Sequence, residues 1–114
     1  MVWTGSDDLE DIAQKVHERL SDELEKLDEK LKAKLIKRGD YNLRAYALGN
    51  QIVAIGKLAI LAGFVPDPGF DFEIDQLEAN LEETRQEMLD DFRRRKIVYK
   101  YLPSKKGTKN KKYG

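Results

Sequence analysis

The residue types that most often carry catalysis are scarce in this chain, which has one histidine and no cysteine. His17 falls in an acidic helical segment, and its neighbours three and four residues away are alanine, glutamine, leucine and serine, so no carboxylate is placed to orient its ring. No nucleophile elbow, phosphate loop or dinucleotide-binding motif occurs. We therefore predict that His17 lies on the surface, that the protein is not an enzyme, and that it uses no cofactor.

The densest group of potential metal ligands follows the turn at residues 66–69. If Asp67 is counted as the first position of a calcium-binding loop, acidic residues fall at the fifth, seventh, ninth and twelfth positions. However, Gly69 replaces the ligand at the third position, and Phe72 stands where the sharp turn of such a loop needs glycine. We expect no metal site and assign these acids to turns and helix caps.

Charge is segregated along the chain although its 21 basic and 21 acidic residues cancel. Residues 93–114 hold ten bases and no acid, whereas residues 67–91 hold ten acids and one base. Three alternatives stay open for the basic end: docking on an acidic protein groove, binding nucleic-acid phosphates with tyrosines stacked on bases, or solubilising the chain. The candidate contact residues are Arg93, Arg94, Arg95, Lys96, Tyr99, Lys100, Tyr101, Lys105, Lys106, Lys109, Lys111 and Lys112.

The apolar pattern predicts a first helix over residues 6–38, with Ser6 as its N-cap and Gly39 as its stop. One narrow stripe runs along it at steps of three and four residues, and the other faces are charged. Such a helix offers a single seam to a partner. The stripe consists of Leu9, Ile12, Val16, Leu20, Leu24, Leu27, Leu31 and Leu35, of which Leu20, Leu24, Leu27 and Leu31 are candidate interface residues.

A second helix is predicted over residues 41–63, and it is apolar almost all round from Ile52 onward. Glycine recurs in it every seven residues, and because glycine inside a helix costs about 1 kcal/mol relative to alanine, the repeat indicates a closely packed neighbouring backbone. That neighbour is either another helix of the same chain or another subunit. The resulting small-residue seam is Ala45, Gly49, Ile52, Gly56, Ala59 and Gly63.

Residues 43–65 are long enough to cross a bilayer. Lys57 near the centre, together with Arg44, Asn50 and Gln51, opposes insertion. We therefore expect no membrane span and interpret this segment as a buried central helix.

Residues 66–69, Pro-Asp-Pro-Gly, predict a break before a third helix over residues 74–97, in which Asp75 and Glu78 form a capping-box-like pair. Residues 97–102 fit either a helix or an extended segment. Beyond them the composition predicts a flexible basic tail over residues 103–114. The chain is thus expected to be all-α, a single three-helix antiparallel domain over residues 1–102 followed by a disordered tail.

The predicted helix lengths favour an oligomer. A first helix of about 32 residues would reach roughly 48 Å and a second about 33 Å, so part of the leucine seam would lack a cover within the chain. The charge blocks point the same way, since contact between protomers can set acidic blocks against basic ones.

The sequence therefore predicts a structural or assembly protein that oligomerises through helical seams and grips a neighbour with its basic arm. Its layout resembles that of virion or phage assembly components, without a residue motif to support a family. The alternative is a nucleic-acid-binding accessory protein. The first eight residues do not form a signal peptide, so we expect an intracellular location or one within a virion.

Overall fold

The computed structural model describes residues 3–5 and 7–94, and these form three α-helices: α1 (Asp8–Lys32), α2 (Arg38–Leu61) and α3 (Pro68–Arg94). Short connections make consecutive helices antiparallel, and both outer helices pack on α2. The predicted all-α three-helix arrangement is confirmed. The predicted tail, residues 97–102 and the predicted end of the third helix lie outside the described residues.

The first helix begins at an Asp cap and ends six residues earlier than predicted. The Asp7 carboxylate caps α1 by accepting a hydrogen bond of 2.8 Å from the Glu10 amide, and Ser6, the predicted cap, lies outside the described residues. At the other end Lys34 adopts the left-handed region (φ 60°), and the Leu35 amide donates to the Lys30 carbonyl, which closes the helix. The stop expected at Gly39 is wrong because lysine takes the left-handed position that glycine usually fills.

This earlier end removes the overhang inferred from helix lengths. α1 has 25 residues and α2 has 24, so the two helices reach about 38 Å and about 36 Å and match along their length. The expectation that the first helix outruns the second is wrong. Leu35, assigned to the leucine stripe, lies in the connection and is exposed.

The second helix ends with the same backbone motif as the first. Gly63 is left-handed (φ 76°), and the Phe64 amide donates to the Ala59 carbonyl across it. Gly63 therefore ends α2 instead of belonging to the helix–helix seam, and the prediction for this residue is corrected. Phe64 and Val65, which follow directly, are buried.

The third helix begins at Pro68, six residues before its predicted start. Asp67 caps it, since its carboxylate accepts from the Gly69 amide at 2.9 Å and its carbonyl accepts from the Phe70 amide. Proline is favoured at the first helical position because its missing N–H would have no partner there. The proline that indicated a break therefore starts the helix, and the extra turn places Phe70 in the core, 1% exposed.

Candidate interaction surfaces

The small-residue seam of α2 faces α3 of the same chain. Ala45, Gly49, Ile52, Gly56 and Ala59 are all buried. A Cβ added at Gly49 would collide with the side chain of Leu81, and one added at Gly56 would collide with that of Ile74. Of the two alternatives left open by the glycine repeat, the neighbouring helix within the chain accounts for the seam.

The leucine stripe of α1 divides into two parts. Leu27 is buried and Leu20, Leu24 and Leu31 are half-buried along α1. Toward the N-terminus, however, the stripe turns away from the core, and Glu10, Ala13 and His17 occupy the inward positions instead. The N-terminal stripe residues are left exposed: Leu9 at 60%, Ile12 at 58% and Val16 at 37%.

An aromatic cluster explains this rotation of α1. Trp3 lies before the helix, and its ring is 6.0 Å from that of His17 and 6.1 Å from that of Phe70, measured between centroids. The rings of His17 and Phe70 are 5.4 Å apart. His17 is only 7% exposed, so the prediction of a surface histidine is wrong. Burial lowers the pKa of His17 from its ordinary 6.5, although the nearby Glu18 and Glu73 act in the opposite direction.

A buried carboxylate fastens the N-terminal segment to this cluster. Glu10 is fully buried and accepts hydrogen bonds from the Thr4 hydroxyl and, at 2.6 Å, from the Gly5 amide. The Thr4 amide in turn donates to the Phe64 carbonyl in the α2–α3 connection. Sequence reasoning missed Glu10 because an acid beside an apolar stripe gives no signal of burial. The one feature of the sequence that could have indicated a packed N-terminal segment is the single tryptophan, Trp3.

Heptad spacing predicts an exposed apolar face along the α1–α2 pair. The groove between these two helices is lined in part by Glu23, Lys26, Arg44 and Ala47. Residues seven positions apart share a helix face. Residues that lie seven or fourteen positions before Glu23 and Lys26 on α1, and after Arg44 and Ala47 on α2, should therefore continue the same groove. The apolar ones are Leu9, Ile12 and Val16 on α1, and Ala54, Leu58 and Leu61 on α2.

We call these six residues the α1–α2 face. Both of its halves lie at the same end of the molecule, because Ala13 of α1 packs in one cluster with Val53 and Ala59 of α2. Leu58 is 48% exposed and Leu61 86%. Isolated apolar side chains are normal on a protein surface, but a contiguous group of large ones on two adjacent helices is typical of an interaction site.

A second surface, the α1–α3 cleft, lies where the two outer helices pack on α2 without their backbones meeting. It encloses about 250 Å³, less than the roughly 300–1,000 Å³ of a typical small-molecule site. Its floor is apolar and its rim carries three carboxylates. The lining residues are His17, Ser21, Leu24, Glu25 and Asp28 of α1, Ile52 of α2, and Phe70, Glu73, Ile74 and Leu77 of α3.

The polar groups of the cleft differ in how they are partnered. Asp28 accepts a hydrogen bond from the Tyr41 hydroxyl, and burial together with this bond raises the pKa of Tyr41 to about 12. The buried Nε2 of His17 has no hydrogen-bond partner among the described residues. Leaving such an atom unpaired costs about 1–3 kcal/mol. The cleft thus offers an acidic rim, an apolar floor and one unpaired ring nitrogen.

At the other end of the molecule, polar contacts join α2 to α3. Arg38 donates two hydrogen bonds to the Glu87 carboxylate, at 2.9 and 3.1 Å, and the Asn42 amide adds a third at 2.8 Å. The hydrogen bonds from Arg38 and Asn42 lower the pKa of the Glu87 carboxyl. These contacts join α2 to α3 at the surface, where Arg38 and Glu87 stay partly exposed.

Two of the predicted basic contact residues are described by the structure. Arg93 and Arg94 are exposed on the last turn of α3, where they form ion pairs with Asp90 and Asp91 at 3.2 and 3.6 Å. The other candidates lie outside the described residues: Arg95, Lys96, Tyr99, Lys100, Tyr101, Lys105, Lys106, Lys109, Lys111 and Lys112.

The bases beyond Arg94 are balanced by an excess of acids in the rest of the chain. All 21 acids fall between Asp7 and Asp91, whereas only 13 of the 21 bases fall at or before Arg94. Residues 1–94 therefore carry eight more acids than bases, and residues 95–114 carry eight bases and no acid. The chain itself contains a helical body and a terminal segment of opposite charge.

Comparisons of the chain with protein-family models, curated proteins and solved structures found no match. Among residues 3–5 and 7–94, no helix is long and apolar enough to cross a membrane. In the same part of the chain, no three His, Asp or Glu side chains are grouped so that they could hold a metal ion.

Proposed function

We propose that this chain is a non-enzymatic assembly protein that associates with further copies of itself through the α1–α2 face and grips a neighbour through its basic C-terminal segment. The observation that carries the proposal is the exposure of Leu9, Ile12, Leu58 and Leu61 on two packed helices, which the heptad spacing assigns to one face. Burying about 100 Å² of such surface contributes roughly 2.5 kcal/mol. A second amphipathic helix pair would cover all of it.

The single histidine supports a non-enzymatic function. The His17 ring is enclosed by Trp3 and Phe70, and no described carboxylate forms a hydrogen bond with it. A general base needs both a partner that orients its ring and access to a substrate proton. On this proposal His17 contributes to packing at this end of the molecule. The assembly in which the chain acts stays a prediction, as does the expectation that it is a virion component.

The molar mass in solution tests self-association. Light scattering after size exclusion should give a mass above the 13.2 kDa of one chain, decreasing on dilution by mass action. The Leu58→Asn/Leu61→Asn variant should have a lower mass than the wild type at the same concentration, because it loses the contact through the face. Leu35→Asn changes a leucine outside the face whose exposure lies between those of Leu58 and Leu61; it is the control and should associate like the wild type. A wild-type mass of one chain at every concentration would refute the proposal.

The second candidate is an accessory protein that binds nucleic acid, and it is favoured by the ten bases and three tyrosines from Arg93 onward. The acidic excess of residues 1–94 opposes it, because the helical body repels phosphates that the terminal segment attracts. Labelled DNA and RNA should be titrated at two salt concentrations with the intact chain and with a version ending at Leu102. Steeply salt-dependent binding that is lost on truncation would favour this candidate over self-association.

A further inference from the structure

The geometry points to the α1–α3 cleft as the acceptor site for residues 95–114 of a second copy of this chain. This inference deepens the proposed function, on which it rests, by naming the surface that the basic segment grips. Three features of the cleft support it: its charge, its apolar floor and its unpaired nitrogen.

Charge complementarity is the first argument. Glu25 and Glu73 stand on opposite sides of the cleft, both are exposed, and Asp28 adds a third carboxylate to the rim. The proposed occupant carries eight bases and no acid. Opposite charges on two surfaces steer them together and fix their orientation, and this attraction weakens as salt increases.

The floor of the cleft is the second argument. Leu24, Ile52 and Leu77 form an apolar strip between the two acidic edges. The occupant needs apolar or aromatic side chains as well as bases to cover such a strip. Residues 97–102, Ile-Val-Tyr-Lys-Tyr-Leu, provide them within the basic segment.

His17 is the third argument. Its side chain lines the cleft, it is 7% exposed, and its Nε2 lacks a partner among the described residues. A phenol hydroxyl can donate a hydrogen bond to a neutral imidazole nitrogen. Tyr99 and Tyr101 bring such hydroxyls, and because this nitrogen is buried, the hydroxyl would reach it only with a shift of the His17 ring on binding.

Chain length assigns the occupant to another copy. Leu77 lies 17 residues before Arg94 on α3, about 25 Å along the helix at 1.5 Å per residue, and Phe70 lies about 36 Å away. Residues 97–99 are three to five residues beyond Arg94, so even a fully extended chain carries them at most about 18 Å. Of the apolar run, only Tyr101 and Leu102, seven and eight residues beyond Arg94, come within reach of Leu77 of their own cleft. The whole run over residues 97–102 can therefore lie on the floor only if it comes from a second copy.

A peptide titration tests the site with the full-length protein. A fluorescein-labelled synthetic peptide of residues 95–114 should bind the protein, with anisotropy that rises to saturation at low salt. Because exposed charge pairs contribute up to about 1 kcal/mol each, the Glu25→Gln/Glu73→Gln variant should bind it about fivefold more weakly. The Glu23→Gln/Glu83→Gln variant is the matched control, since it removes the same charge outside the cleft, and it should bind like the wild type.

A second peptide separates aromatic contacts from charge. The peptide with Tyr99→Ser/Tyr101→Ser keeps every base and should bind more weakly to the wild type. Equal loss of binding in the two double variants, equal binding of the two peptides, or no saturable binding would overturn the assignment. Binding of the peptide to DNA but not to the protein would overturn it in favour of nucleic acid.

The Leu58→Asn/Leu61→Asn variant makes the two proposals distinguishable. It removes the α1–α2 face and leaves the cleft intact, so it should bind the peptide like the wild type. If the Leu58→Asn/Leu61→Asn variant keeps the wild-type mass while peptide binding depends on Glu25 and Glu73, self-association through the face fails and the acceptor site stands. If the chain self-associates but the Glu25→Gln/Glu73→Gln variant binds the peptide normally, the acceptor site fails alone.

Discussion

Gly49 of α2 lies directly against Leu81 of α3, so that an added methyl group would collide with a leucine that is itself buried. One heptad later, Gly56 stands in the same relation to Ile74. These two contacts bring α2 close to α3, so the small-residue seam of the glycine repeat is already buried within the chain. Any association between copies must therefore use other surfaces.

Substitution at Gly49 measures how tightly this seam is packed. Overpacking a core costs about 1–3 kcal/mol, whereas alanine gains about 1 kcal/mol in helix propensity. We expect Gly49→Ala to lower the free energy of unfolding by about 1 kcal/mol, measured by urea denaturation. Gly39→Ala is the control, because a Cβ at Gly39 meets nothing within 4 Å, and it should be neutral or stabilising. A stabilised Gly49→Ala protein would contradict the close contact.

The end of α1 provides a test of opposite sign. Lys34 holds a left-handed conformation that glycine adopts without steric cost. Lys34→Gly should therefore raise the free energy of unfolding by about 0.5–1 kcal/mol in the same denaturation experiment. Lys32→Gly, inside the last turn of α1, should lower it by about the cost of a helical glycine. If both substitutions destabilise the protein equally, α1 does not end where the structure places its end.

These helix ends show where sequence reasoning about the fold reached its limit. The apolar periodicities identified all three helices, and the glycine repeat of α2 indicated a close neighbour. The ends were missed because Lys34 performs a role expected of glycine, and because Pro68 starts a helix although proline indicated a break. Backbone conformation decided both positions, and residue type alone did not determine it.

Histidine burial predicts a stability that depends on pH. Desolvation lowers the pKa of His17 below its unfolded value of 6.5, so the unfolded chain binds the proton first as the solution is acidified. Stability should be full above pH 6.5 and should decline as the pH falls from there through the folded pKa. The charges of Glu18 and Glu73 act in the opposite direction and reduce the effect without reversing it.

Urea denaturation at pH 7.5, 6.5 and 5.5 measures this decline, and a His17→Leu variant isolates it because the chain has no other histidine. The variant should show a flatter dependence over the same range. An identical decline in both proteins would assign the effect to carboxylates instead of His17.

Loss of the Glu10 carboxylate should free the N-terminal segment before it unfolds the helices. Glu10→Gln puts an amide beside the Thr4 and Gly5 donors, at a cost of about 1–3 kcal/mol. Trp3 is the only tryptophan, so its fluorescence should shift to the red while the helical circular dichroism is retained. Glu83→Gln, on the exposed surface of α3, should leave the emission unchanged. Unchanged emission in Glu10→Gln would show that Glu10 does not anchor the segment.

The candidate surfaces were less accessible to sequence reasoning than the helices. Leu9, Ile12 and Val16 belong to the predicted leucine stripe, and an unpaired stripe was the basis for expecting a partner. Which leucines of α1 face α2 depends on how Trp3, Glu10 and His17 pack at this end of the molecule. That packing arises from tertiary contacts. The acidic cleft likewise depends on α1 and α3 packing on α2 without their backbones meeting, and the periodicity of the apolar residues does not predict this spacing.

The most direct test of the α1–α2 face is its protection from solvent in the assembled protein. Because the chain lacks cysteine, Ala54→Cys introduces a single thiol within the face and Ala79→Cys introduces one on the outer surface of α3. Their rates of reaction with a thiol-specific reagent should be compared as the protein concentration is raised about a hundredfold. The account predicts that the thiol at position 54 becomes slower to react while that at position 79 does not change. Equal reactivity at both positions across the whole range would contradict it.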